Sequence, residues 1–199
     1  MDKQLIISIG REYGSGGHEI GVRLAERFGL PLYDHNLLDE IVSGSKMNAE
    51  KMAKYDERAH QAFWSRTVRG YSNSPIENVA QIQFDFLKEK AASGESFVIV
   101  GRCAETVLKG SEGLVTFFVL GDYGPKLARI MKRRDFSAKE AALAIERHDR
   151  NRKAYHNRYS DRKWGDSRNY DLCINSSRLG IEGTADVLEK FIRAGRGEN

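Results

Sequence analysis

Apolar residues are distributed along the chain in two alternating patterns. Short unbroken runs occur at Gln4 to Ile9, Phe97 to Val100 and Leu114 to Leu120, with weaker ones at Leu30 to Tyr33 and Asp171 to Ile174. Runs of this length, rich in β-branched and aromatic residues and bounded by turn signals, read as strands buried on both faces. Between them the spacing changes to three and four. Ile20, Leu24 and Phe28 are followed by Gly29 and Pro31; Ile76, Val79, Ala80, Phe84 and Leu87 are followed by Gly94; Ile181, Ala185, Leu188 and Ile192 form a closing stripe. That is the period of amphipathic helices. Ser74-Pro75-Ile76-Glu77 and Ser137-Ala138-Lys139-Glu140 are helix starts, each with serine at the cap and glutamate three residues later. Strands alternating with helices predict an α/β fold with a mostly parallel central sheet of about five strands, covered on both faces. Residues 36–93 read as helical, a long insertion between the first strand and the run at 97–100.

One junction carries chemistry. Gly10-Arg11-Glu12-Tyr13-Gly14-Ser15-Gly16-Gly17-His18 joins the first strand to the first helix. A phosphate at such a turn receives backbone N–H groups and the positive end of the helix dipole, and glycines allow close approach. Gly14, Ser15, Gly16, Gly17 and His18 are therefore expected to hold nucleotide phosphates. Against the loop G-x-x-x-x-G-K-[ST], Gly17 stands at the lysine, His18 at the hydroxyl residue and Arg11 at the first glycine. Lysine there reaches the β- and γ-phosphates and the hydroxyl holds Mg²⁺. Arg11 is the candidate source of the missing charge. His18 either bonds phosphate or is simply exposed.

Charge adds a second region. The net charge is +4, yet residues 126–168 hold 14 Lys and Arg against six Asp and Glu. Such a block suits an anionic partner, or a solvated helix face laced with pairs such as Glu146–Arg150. Its acids are interleaved with its bases and no nucleic-acid motif accompanies it, which disfavours nucleic acid as the partner. No apolar run approaches the roughly 20 residues needed to span a bilayer, so no membrane partner is expected. Cys103 and Cys173 lie far apart and outside metal-type spacing. A cytoplasmic location, small buried thiols and no structural metal are the expectation.

Gly10 to Gly17, Leu30-Pro31-Leu32-Tyr33-Asp34 and the stretch Trp164-Gly165-Asp166 with Asn169 to Asn175 resemble the cytidylate-kinase-like family of bacteria, over nearly the whole chain. The resemblance implies a P-loop NTPase three-layer fold: a single domain over 1–199, a helical acceptor-binding insertion over 36–93 and a basic lid over 145–168. Arg102 matches the arginine that contacts the acceptor monophosphate in true cytidylate kinases. The two aspartates of their Asp-Gly-Arg-Asp sequence are absent, the run here being Val100-Gly101-Arg102-Cys103. Ile145 to Arg152 resembles the lid, with Arg147, Arg150 and Arg152 as candidates to stabilise a transferring phosphoryl group. Asp34 either accepts from a substrate hydroxyl or caps the following helix. Tyr155, Tyr159, Trp164 and Tyr170 either stack a base or pack at the lid hinge.

These features support an ATP- and Mg²⁺-dependent phosphotransferase with a variant P-loop, acting on a nucleoside monophosphate, cytidylate-like, or another small acceptor. The alternative is a regulatory module that holds a nucleotide without turnover. They imply no particular oligomeric state.

Overall fold

The computed structural model describes residues 3–34 and 75–198, with backbone alone at 75–78. Strand β1 (Ile6–Arg11) is the middle of a five-stranded sheet. After it come α1 (Gly17–Phe28), β2 (Leu32–Tyr33), α2 (Pro75–Ala92), β3 (Phe97–Val100), the single turn α3 (Ala104–Val107), β4 (Leu114–Leu120), α4 (Tyr123–Arg134), α5 (Ala138–Tyr159), β5 (Leu172–Asn175) and α6 (Gly180–Arg196). The strand order is β2-β3-β1-β4-β5 and every neighbouring pair is parallel. Ile6 lies between Phe97 and Leu114, which fixes the register at the centre.

The unbroken apolar runs follow from this topology, because a parallel sheet carries helices on both faces. Successive residues of each strand serve different cores. Ile7, Ile9, Val98, Val100, Phe117 and Val119 pack under α1 and α6. Ile6, Phe97 and Ile99 pack on the opposite face against Leu87 and Ala91 of α2 and against Ala104 and Leu108. Helix α1 ends at Gly29, which takes φ 62° and donates to the carbonyls of Ala25 and Glu26.

Several sequence expectations shift in detail. Strand β1 runs through Gly10 and Arg11, because both continue the pairing with Phe118 and Val119 of β4. On α2, Ala80, Phe84 and Leu87 are buried as the stripe requires, whereas Val79 is 39% exposed. Ser74 and the insertion from 36 to 74 lie outside the described residues. Helix α4 stands where the sequence reading marked only a basic block. Leu127, Ile130 and Met131 turn one face of it against Phe136, Ala141 and Ile145 and against Tyr13 of the glycine-rich loop. Helix α5 opens on the expected box: Ser137 Oγ accepts from the Glu140 amide and the Glu140 carboxylate accepts from the Ser137 amide at 2.8 Å. Among the described residues no helix is long and apolar enough to cross a membrane.

Leu188 of α6 is fully buried against the sheet. Leu188→Ala should cost about 2–5 kcal/mol of unfolding free energy, read as a lower urea midpoint at unchanged slope.

Candidate active site

The site lies at the carboxyl edge of the sheet, where β1 stands between β3 and β4 and the glycine-rich loop begins. In open α/β sheets ligands bind at that edge. Gly14 and Gly16 take φ 83° and 84°, and Gly16 forms the N-cap of α1 without a side-chain cap. Among the described residues the amides of Gly14, Gly16 and Gly17 donate to no carbonyl or side chain. Three such amides at a helix start make an anion cradle. Ser15 is different. It is fully buried, its hydroxyl donates to the Glu12 carbonyl at 2.9 Å, and its own carbonyl accepts from Ser176 Oγ. The Ser15 side chain is therefore engaged within the fold.

A charged staple fixes the loop from behind. Lys126 of α4, buried, places Nζ 3.0 Å from Glu12 Oε2 and 3.4 Å from Asp149 Oδ2. Glu12 Oε2 also accepts from the Gly121 amide at 3.1 Å, and Asp149 Oδ1 accepts from the Tyr13 amide at 2.6 Å. Burial lifts the Asp149 carboxyl above its ordinary range, opposed by the Tyr13 amide and by Lys126. The Tyr13 ring stacks on His148, with centroids 4.1 Å apart, and lies beneath the Arg152 guanidinium. On α4, Arg129 donates to the Gly14 carbonyl at 2.5 Å, facing the loop from the other side. The sequence reading named neither Lys126 nor Arg129 individually. The signal was the apolar spacing Leu127, Ile130 and Met131, which makes a helix of that segment.

A cleft of about 350 Å³ opens beside the loop, with Arg11, Arg102 and Arg152 among its walls. Arg11 reaches it from the last position of β1 and Arg102 from the turn after β3. Arg152 comes from α5, where it also donates to the Arg11 carbonyl at 3.3 Å. Burial, then repulsion from Arg152 and Arg102, pushes Arg11 down to about 9, with Asp34 and Asp149 opposing. Burial lowers Arg152 as well. At about 9, Arg11 remains cationic at neutral pH. Gly101, Arg102 and Cys103 take φ 89°, 63° and 52° in succession. Two consecutive non-glycine residues in the left-handed region cost of order 1–2 kcal/mol each, which the surrounding packing sustains.

The lid candidates separate on α5. Arg152 faces the cleft. Arg147 and Arg150 are exposed on the other side, beside Phe136 and Leu143, and Arg150 lies 3.8 Å from Glu146. Asp34 and His18 come together: His18 Nε2 is 2.7 Å from Asp34 Oδ2. Of the aromatics, Tyr155, Trp164 and Tyr170 line the cleft, the last two packing on Phe118, while Tyr159 packs on Phe84. Cys103 is buried and Cys173 half-buried, and both are free.

At the inner end of the cleft His156 Nε2 meets Glu105 Oε1 at 2.8 Å, both side chains at most 5% exposed. With Cys103 they present one ligand atom each within 4.8 Å of one another. That donor set could take a soft divalent ion, but the Glu105–His156 hydrogen bond already engages two of its members. Burial and Glu105 push the Cys103 thiol up to about 12. Burial opposes a charge on His156, yet the bond to Glu105 outweighs it and raises the imidazole above its ordinary value. The pair's contribution to stability is therefore complete below about pH 6.5 and lost as pH rises through the higher folded value. Chemical denaturation across pH 6–9 should show this decline, and Glu105→Gln should flatten it.

A model of the cytidylate kinase-like family matches residues 6–178. The cytidylate kinase of Pyrococcus horikoshii is 26% identical over 191 residues, covering 95% of this chain and 88% of its own. The crystal structure of an uncharacterized protein from Eubacterium ventriosum superposes with a TM-score of 0.75 at 37% identity, over 95% of this chain and 98% of that one. Shikimate kinase from Acinetobacter baumannii, solved with shikimate, shares the fold at a TM-score of 0.54 and 12% identity, over 98% and 96% of the two chains.

Proposed function

The chain belongs to the cytidylate kinase-like family, and from that premise we propose that it is an ATP-dependent phosphotransferase whose acceptor carries a phosphate, a nucleoside monophosphate of the cytidylate type. The observation that carries the reading is the convergence of Arg11, Arg102 and Arg152 on one cleft at the start of the loop that further on carries the open amides of Gly14, Gly16 and Gly17. Three guanidiniums sharing a half-buried space repel one another and call for a polyanion. A donor phosphate chain on the loop and an acceptor phosphate at Arg102 would supply the charge from both sides.

The amides fit the donor, because they point where a phosphate chain enters a helix start. Mg²⁺ fits in a more limited way. His18 replaces the hydroxyl that usually holds it, so the ion would ride on the nucleotide phosphates and water, with Asp34 as the protein carboxylate at that edge. Bound there, it would neutralise charge on the transferring group. Arg102 would hold the acceptor bidentately, and Arg152, seated over Tyr13, would face the transferring phosphoryl. The lid role belongs to Arg152 in this reading, since Arg147 and Arg150 stand on the exposed side of α5. The membrane and nucleic acid have no part in it.

A coupled ADP-release assay with Mg²⁺-ATP across the nucleoside monophosphates tests the activity. Turnover should appear with a pyrimidine monophosphate and not with shikimate. Arg102→Ala should weaken monophosphate binding by roughly ten- to hundredfold, the equivalent of about 1.5–3 kcal/mol for a charged hydrogen bond. Nucleotide binding without turnover on any acceptor would leave the regulatory module as the correct reading.

A further inference from the structure

The side chain of Arg11 occupies an unusual place. A Cβ added to Gly17 would lie 2.5 Å from Arg11 Cβ and 3.0 Å from Arg11 Cγ. The stem of Arg11 thus fills the space from which a side chain at position 17 would grow. A Cβ added to Gly101 would collide with Arg11 Nη1 and lie 3.1 Å from Arg11 Cζ. The guanidinium therefore reaches across the end of β1 to the end of β3, in the cleft that Arg102 and Arg152 share. Position 17 is where G-x-x-x-x-G-K-[ST] loops carry the lysine that reaches the β- and γ-phosphates. Two glycines and one arginine fit together here as a unit. Gly17 gives up its side chain to the Arg11 stem, and Gly101 gives up its own to the Arg11 head.

We infer that Arg11 is the catalytic cation of the phosphate loop, transplanted from the start of α1 to the end of β1, and that Gly17 and Gly101 are glycines because Arg11 passes over both. The inference rests on the phosphotransferase reading of the same site. In the transfer an acceptor phosphate oxygen bonds to the γ-phosphorus. The bond from that phosphorus to the β,γ-bridging oxygen breaks, and ADP leaves with the electron pair. A dianionic acceptor brings no proton to dispose of. Arg11 would neutralise charge on the bridging and γ-oxygens as it builds, with two N–H donors where lysine offers a point charge. Asp34 and Asp149 lie close enough to Arg11 to favour its charge, whereas Arg102 and Arg152 oppose it.

The test uses Arg11→Met, which keeps most of the stem over Gly17 and removes the charge, and the exchange Arg11→Gly with Gly17→Lys, which removes the Arg11 Cβ that a side chain at position 17 would meet and returns a lysine to the loop. Thermal melts of both confirm folding. Arg11→Met should lose turnover by roughly 100-fold or more and bind the β,γ-imido analogue of ATP about tenfold more weakly by calorimetry. Gly17→Lys alone should also be impaired, because its stem meets that of Arg11. The exchange should exceed Arg11→Gly at least tenfold in turnover and regain the analogue affinity. Wild-type turnover in Arg11→Met, or an exchange no better than Arg11→Gly, overturns the inference. Should the wild type turn over no acceptor, the phosphotransferase reading fails by itself. The analogue affinities then still decide Arg11: loss in Arg11→Met with recovery in the exchange sustains its placement on the phosphates, and equal affinities remove it.

Discussion

One half-buried arginine laid across the carboxyl edge of the sheet shapes the surrounding site. Arg11 enters as the last paired residue of β1, opposite Val119. Its stem and head lie where two neighbours, Gly17 and Gly101, lack side chains. The chain leaving β3 accommodates it by turning through three successive left-handed residues. Desolvation of the guanidinium is the largest cost, and two further guanidiniums add to it. Protein carboxylates offset only part, because Asp34 is also shared with His18, and Asp149 with Lys126 and the Tyr13 amide.

The second determinant is the staple of Lys126, Glu12 and Asp149. Each member comes from a different element: α4, the loop and α5. Separating α5 from the loop would strand a buried ammonium and a half-buried carboxylate, and such uncompensated charges are costly. Stacking of Tyr13 on His148 adds an apolar tie at the same point. Loop and helix α5 are therefore coupled, and Arg152, one turn beyond His148, is carried on the coupled part. An arginine held in this way keeps its position relative to the loop, which is the arrangement that electrostatic stabilisation of a phosphate there would require.

Much of this was legible in the sequence, for identifiable reasons. Strands β3 and β4 have the bounds their apolar runs predict, since a strand buried on both faces leaves no room for ambiguity in pattern. The capping box at Ser137 fixed the start of α5 for a similarly local reason. What escaped depends on three-dimensional register. Arg147, Arg150 and Arg152 look equivalent as a spaced series, but only the face continuous with Ala141, Ile145 and Asp149 meets the loop, and that face includes Arg152 alone. Lys126 and Arg129 lie inside a basic stretch, where the apolar spacing of Leu127, Ile130 and Met131 marks a helix but not which of its cations meet the loop. The pairing of His18 with Asp34 joins two elements and has no signature in either. Gly17 was visible as a missing lysine, but its relation to Arg11 is a matter of packing, invisible until both backbones are in place.

A charge comparison gives the substitutions a common direction. Relative to the Asp-Gly-Arg-Asp pattern of true cytidylate kinases, Val100 and Cys103 remove two carboxylates from the end of β3. Relative to the lysine-bearing loop, Gly17 removes one cation and Arg11 restores one. The edge is therefore more positive by two charges, while the hydroxyl and carboxylate groups that would hold a metal are fewer. Such a site has less to offer a bare divalent cation and more to offer the phosphates themselves. Guanidiniums can take over part of the charge neutralisation that a protein-bound metal performs, since both act on the same equatorial and bridging oxygens. The departures from the family pattern are then not four independent losses. In the proposed reading they are the parts of one exchange, in which fixed, half-buried cations at the sheet edge would assume work that a carboxylate-held ion and a loop lysine otherwise share.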